Sequence, residues 1–106
     1  MTLTAGSLAD GQLSNSDALL YQSPVLYRTV VNQVVCYNSH VSAVQVILWL
    51  RRAGSTSRII AKVTLDAGDE LIYGPIELSE GDSIRGIASV PLVVDFSMTG
   101  YQEAVE

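Results

Sequence analysis

The chain has 106 residues, of which 48% are hydrophobic and 16% are charged. This length is typical of one domain, so we assign residues 1–106 to a single domain. A soluble domain usually carries about 25% charged residues. The shortage here indicates either a surface that binds protein or half-solvated strands rich in Thr, Ser and Val. The net charge of −5 argues against a nucleic-acid partner, which needs a clustered basic face.

The charge is distributed unevenly along the chain. Residues 1–65 carry a net charge of +3, whereas residues 66–106 carry −8. Such asymmetry favours head-to-tail packing between copies. Strands from both halves interleave in a sandwich, however, so we expect the charge difference between the two halves of the sequence not to become a charge difference between two sides of the fold.

Cys36 is the only cysteine, so no internal disulfide forms. Its apolar neighbours predict that the thiol is buried as a small hydrophobic group. No apolar run approaches the ~18 residues of a membrane span. The first residues lack the basic start and long apolar stretch of a signal peptide. We therefore expect synthesis in a cytoplasm and no membrane partner.

Short β-type runs separated by turn residues dominate the sequence. Eight strands are predicted, at Leu8–Leu13, Ala18–Gln22, Val25–Asn38, Ala43–Arg51, Arg58–Leu65, Glu70–Tyr73, Ser83–Val90 and Leu92–Gly100. Alternating apolar faces predict an all-β fold in which two antiparallel sheets form a jelly-roll-like β-sandwich. Residues 1–7 precede the first strand, and we expect either an N-terminal arm that reaches another copy or a frayed end.

One short pattern, L-x-x-G-D-x-(L/I), occurs twice, at residues 65–71 and 78–84. Gly accepts a positive φ and Asp can bond to nearby backbone, so each copy predicts a tight turn anchored in the core. A calcium site is the alternative, but each loop lacks the dense oxygen ligands that calcium needs.

The side chains that carry out chemistry are few. His40, the only histidine, lies in a polar loop, and no nucleophile motif surrounds any serine. One histidine and one cysteine are too few for a metal centre. We therefore expect no catalytic residues, no metal and no cofactor, and the chain is predicted not to be an enzyme.

The candidate site is a protein interface. If Val44, Val46, Leu48 and Leu50 face the core, Ile47 and Trp49 face outward, and tryptophan is common as an interface anchor. The alternative is that both faces of this strand are covered. The cations Arg51, Arg52 and Arg58 bracket the next loop and are expected either to meet carboxylates of a neighbouring subunit or to be solvated.

The ordered pattern resembles a known family. The residues that carry the resemblance are Leu8–Leu13, Leu20-Tyr21, Tyr27–Val31, Tyr37-Asn38, the loop at 54–58 and Leu78–Gly86. They are similar to the small β-sandwich structural proteins of tailed bacteriophage virions, over roughly residues 7–100. The resemblance implies a virion component without an active site that assembles in symmetric copies.

The first expectation is a decoration or cement protein that binds and stabilises major capsid subunits and is a homo-oligomer. It would be made in the bacterial host cytoplasm and reside in the virion. A neck, tail or fibre-attachment protein is an alternative in the same class. From other classes, a carbohydrate-binding jelly roll would stack a sugar on Trp49 and Tyr37, and a small cupin-like enzyme would need more histidines than His40.

Overall fold

The computed structural model of the chain describes residues 3–105, and no helix occurs in that range. Nine strands are present: β1 (Leu3–Gln12), β2 (Ala18–Gln22), β3 (Tyr27–Asn38), β4 (Val44–Arg51), β5 (Ser57–Leu65), β6 (Glu70–Tyr73), β7 (Ile76–Leu78), β8 (Ser83–Ala88) and β9 (Val94–Ala104). The prediction of an all-β fold is therefore confirmed.

The strands form two antiparallel sheets that pack face to face. Sheet A has the order β1-β9-β3-β6, with β7 also paired to β3, and sheet B has the order β2-β8-β4-β5. Because β6 and β7 both pair with β3, they take the place of one interrupted strand. The connectivity then matches an eight-strand jelly roll, and the predicted β-sandwich is confirmed.

Strand β7 is the element that the sequence prediction lacks. Gly74-Pro75, joined by a cis peptide bond, ends β6 and leaves only three residues for β7 before the next turn. Those residues still belong to the core, because Ile76 is 8% exposed and Leu78 is fully buried.

The N-terminal residues have a different place from the one expected. Residues 3–7 extend β1 and pair with residues 99–103 of β9, instead of forming an arm or a frayed end. The pairing gives backbone groups of these residues hydrogen-bond partners within the sheet. Residues 1 and 2 lie outside the described residues.

An apolar core fills the space between the sheets. Strand β4 shows how it forms, because Val44, Val46 and Leu48 are at most 1% exposed while the residues between them lie on the other face. The buried apolar residues are Leu13, Val31, Val34, Cys36, Val44, Val46, Leu48, Leu65, Ile76, Leu78, Ile84, Ala88, Val94, Phe96 and Met98.

Each sheet edge is irregular. The pairing of β1, β2 and β5 with their neighbours shifts by one residue, which leaves Leu8, Leu20 and Ile60 as extra residues in bulges. All three side chains pack against the buried core. The remaining edge is divided between β6 and β7. Bulges and interruptions of this kind oppose the addition of a further strand.

Gly100 is required by a close approach of two backbones. It lies on β9 opposite Val31, where β3 carries a bulge, and a Cβ atom on Gly100 would overlap the carbonyl oxygen of Val30.

Replacement of Gly100 by Ala should therefore lower the free energy of unfolding by about 2 kcal/mol, because the sheet must open to admit the methyl group. Urea denaturation followed by circular dichroism measures the change. The control is Ser97→Ala, an exposed position on the same strand, which should change stability by less than about 0.5 kcal/mol. Equal midpoints for the two variants would show that the backbones separate without cost.

Candidate protein-interaction site

Strand β4 places Ile47 and Trp49 on the outer face of sheet B. The alternating residues Val46 and Leu48 are fully buried, and successive strand residues point to opposite faces. Ile47 and Trp49 are half-buried, and neither belongs to the group of side chains that packs against the core. The predicted orientation of both residues agrees with this geometry, and their role in an interface stays a prediction.

The register of sheet B extends this apolar surface across four strands. Trp49 lies opposite Ile59 on β5 and Arg85 on β8, and Arg85 lies opposite Leu19 on β2. Ile59 is 57% exposed and Leu19 is 50% exposed. Ile87 lies opposite Ile47 in the adjacent row. We call this set the Trp49 surface; it comprises Leu19, Ile47, Trp49, Ile59 and Ile87.

The three predicted arginines have three different environments. Arg51 lies on the outer face beside Trp49, and its Nε donates to the carbonyl oxygen of Ser55 at 3.1 Å. Arg58 lies opposite Leu50, so the bulge at Ile60 puts it on the other side of β5 from Trp49. The structure therefore brings Arg51 to the Trp49 surface and separates Arg58 from it.

The Arg52 side chain is paired within the chain, instead of being free to meet another subunit. Its Nη1 lies 2.7 Å from Oδ2 of Asp82 and 2.8 Å from the carbonyl oxygen of Glu77. Asp82 is 4% exposed and also accepts hydrogen bonds from the backbone amides of Ala53 and Ser79 at 2.9 Å each. These bonds fasten the β4–β5 loop to the turn before β8.

The two copies of the repeated pattern are both tight turns, as predicted, with Gly68 at φ 79° and Gly81 at φ 82°. Only the second copy has a buried carboxylate. Burial would raise the pKa of Asp82, but hydrogen bonds from Ala53, Arg52 and Ser79 outweigh it and hold the pKa below its ordinary value.

Because the pKa of Asp82 is lowered on folding, its stabilising effect is present above the unfolded pKa near 3.8 and is lost as the pH falls through the folded pKa. Replacement by Asn should cost about 2 kcal/mol at pH 7 and flatten the acid side of the stability profile. Urea denaturation between pH 2 and pH 7 measures both. Asp69→Asn, at the matching exposed position, is the control, and an equal loss for both variants would contradict this assignment.

The only histidine and the only cysteine do not form a reactive pair. Cys36 is fully buried in the core, and burial raises the pKa of its thiol to about 12. His40 lies in the β3–β4 loop, where its backbone amide donates to Oδ1 of Asn38. The Asn38 amide donates to the carbonyl oxygens of Ser42 and Leu65, so the loop is held by hydrogen bonds around this buried side chain.

Among residues 3–105, no three His, Cys, Asp or Glu side chains are placed to hold a metal ion. A helix of the length and apolarity needed to cross a membrane is likewise absent from this part of the chain.

The burial of Cys36 predicts how its thiol reacts. In the folded protein a thiol-specific reagent should label it at least a hundredfold more slowly than in 6 M guanidinium, because the thiolate is scarce and inaccessible. Absorbance of the released chromophore measures the rate. Rapid labelling under native conditions, with unchanged circular dichroism, would contradict the burial.

No protein-family model matches the sequence, and no curated protein is similar to it in sequence. A solved structure of Bacillus endospore appendages, described as disulfide-linked pili, aligns with 99% of this chain and 90% of its own chain, with a TM-score of 0.63 and 8% identity. At this identity the similarity shows a shared fold.

A solved structure of infectious bursal disease virus, Gt strain, aligns with 95% of this chain, with a TM-score of 0.46 and 12% identity. The alignment covers 32% of that viral chain, so this chain spans about a third of its length.

Proposed function

We propose that the chain is a structural subunit of a virion and acts as a decoration or cement protein on major capsid subunits. The observation that carries the proposal is the Trp49 surface, where apolar side chains from four adjacent strands lie outside the core. Exposed apolar surface of this kind is typical of protein interfaces. The scarcity of charged residues supports the same role.

The shared fold supports a subunit role of this type, because a Bacillus endospore pilus uses the same architecture. The route of assembly must differ in one respect from a disulfide-linked pilus, since Cys36 is the only cysteine and is buried. The resemblance of the sequence to virion proteins of tailed phages directs the proposal to a virion.

A carbohydrate-binding role has less support. Trp49 lies on β4 of sheet B and Tyr37 lies on β3 of sheet A, so the two rings lie on different sheets and on opposite outer faces of the sandwich. They therefore do not form one platform for a sugar ring, as that alternative requires. A glycan array with the wild-type protein and Trp49→Ala remains a direct check, because specific binding lost in the variant would favour that class.

Trp49→Asp should reduce incorporation into particles at least tenfold, because a charge replaces the apolar anchor of the interface. The free energy of unfolding of the isolated chain should change by no more than about 1 kcal/mol, since Trp49 is outside the core. Quantitative gel analysis of purified particles measures the first quantity and urea denaturation the second. Gln45→Asp, at an exposed position of the same outer face, is the control.

The position of the chain in the particle distinguishes a decoration protein from a neck, tail or fibre-attachment protein. Cryo-EM of intact particles should show the chain on capsomers or between them. Density at the portal vertex or tail would reject decoration in favour of a neck, tail or fibre-attachment protein. Absence from every part of purified particles would reject the virion role altogether.

A further inference from the structure

Charge is segregated between the two sheets. The strands of sheet B contain four charged residues, all cations: Arg51, Arg58, Lys62 and Arg85. The strands of sheet A contain one cation, Arg28, and the carboxylates Asp10, Glu70, Glu77, Asp95 and Glu103. The uneven charge along the sequence thus becomes an uneven charge in space, although the strands of both halves interleave.

The acidic face carries its own exposed apolar group. On the outer face of sheet A, Tyr37 lies opposite Asp95 on β9 and Glu70 on β6. The adjacent row places Val35 opposite Ile72, and Ser97 connects this row to Asp10. Tyr37 is 43% exposed and Ile72 is 56% exposed. We call this set the Tyr37 surface; it comprises Asp10, Val35, Tyr37, Glu70, Ile72 and Asp95.

The Trp49 surface is bordered by charge of the opposite sign. Lys62 lies opposite Ile47, and Arg51 lies two residues beyond Trp49 on the same face. Among residues 3–105, neither cation takes part in a salt bridge. Arg85 is paired with Asp17 at 2.9 Å, and Arg58 lies on the other side of β5. Among the described residues, Arg51 and Lys62 are therefore the unpaired cations of this outer face.

The carboxylates of the Tyr37 surface likewise form no salt bridge within residues 3–105. Within the described residues, Asp10, Glu70 and Asp95 have no salt bridge, and Asp95 accepts only a side-chain hydrogen bond, from Gln12 at 3.1 Å. Each surface therefore combines an aromatic residue and exposed isoleucine with unpaired charge of one sign, and the two signs are opposite.

The sheet edges offer a poorer route to association. Bulges interrupt β1, β2 and β5, and the fourth edge is broken between β6 and β7. Irregular edges oppose strand addition, so contact between outer faces is favoured over extension of a sheet.

We propose that the Trp49 surface of one copy packs against the Tyr37 surface of the next, with Arg51 and Lys62 facing the carboxylates. The inference rests on the proposed structural role and assigns the Trp49 surface to the contact between copies of this chain within the particle. The two surfaces differ, so the contact is heterologous and repeats head to tail, which gives a ring or an open stack.

Sedimentation equilibrium of the wild-type chain at low ionic strength should give a weight-average mass above that of one chain. The mass should fall as NaCl is raised from about 0.05 to 0.5 M, because salt screens the facing charges. Lys62→Glu, a change of one exposed charge, should weaken association at least tenfold. Gln45→Ser with Thr64→Ser, a pair on the same face outside the Trp49 surface, should leave the mass unchanged.

Two double variants test the direction of the contact. Trp49→Ser with Lys62→Ser removes one surface, and Tyr37→Ser with Asp95→Ser removes the other. Each variant alone should sediment as a single chain, and an equimolar mixture should form a one-to-one dimer that grows no further. Circular dichroism and urea midpoints establish that both variants are folded.

Two results would overturn the stacking. If the Tyr37 variant dimerises alone, the Trp49 surface pairs with itself and the contact is symmetric. If the wild-type chain stays a single chain at low salt, copies do not stack. If the chain stays single at low salt but purified particles contain it, the proposed structural role stands and the stacking is rejected. If the chain stacks but is absent from purified particles, the contact stands and the virion role is rejected.

Discussion

Alternation of side chains between the two faces of each strand, interrupted only at the bulges, is the constraint on which the rest of the structure depends. One set of residues meets in a core built mainly from valine, leucine and isoleucine, and the other set is left outside it. Because the core uses only the inward set, the outer faces are free to differ from each other in charge and apolarity. The Trp49 surface and the Tyr37 surface both arise from that freedom.

Two buried polar side chains fix the loops that alternation does not control. Asn38 joins the start of the β3–β4 loop to the end of β5, and Asp82 joins the β4–β5 loop to the turn before β8. Each has several hydrogen-bond partners, as buried polar groups require. The loop between β4 and β5 is consequently tied to the body of the sandwich beside the Trp49 surface.

Much of the fold can be predicted from the sequence because alternation and turn residues are local signals. The ranges of β2 and β6 agree with prediction to the residue. Strand β7 and residues 3–7 of β1 depend on pairing with distant strands, which no local pattern reveals. The side of β5 on which Arg58 lies depends on a single bulge at Ile60. Asp82 differs from Asp69 through hydrogen-bond partners that come together only in the folded chain.

The burial of Cys36 has a mechanical consequence. A folded chain whose only thiol is inside the core has no sulfur with which to link covalently to its neighbours. In the proposed stack the contacts between copies are therefore non-covalent, and many individually reversible contacts act together. Such a stack contains no disulfide that a reducing agent could break, and a lost subunit can be replaced without breaking a covalent bond.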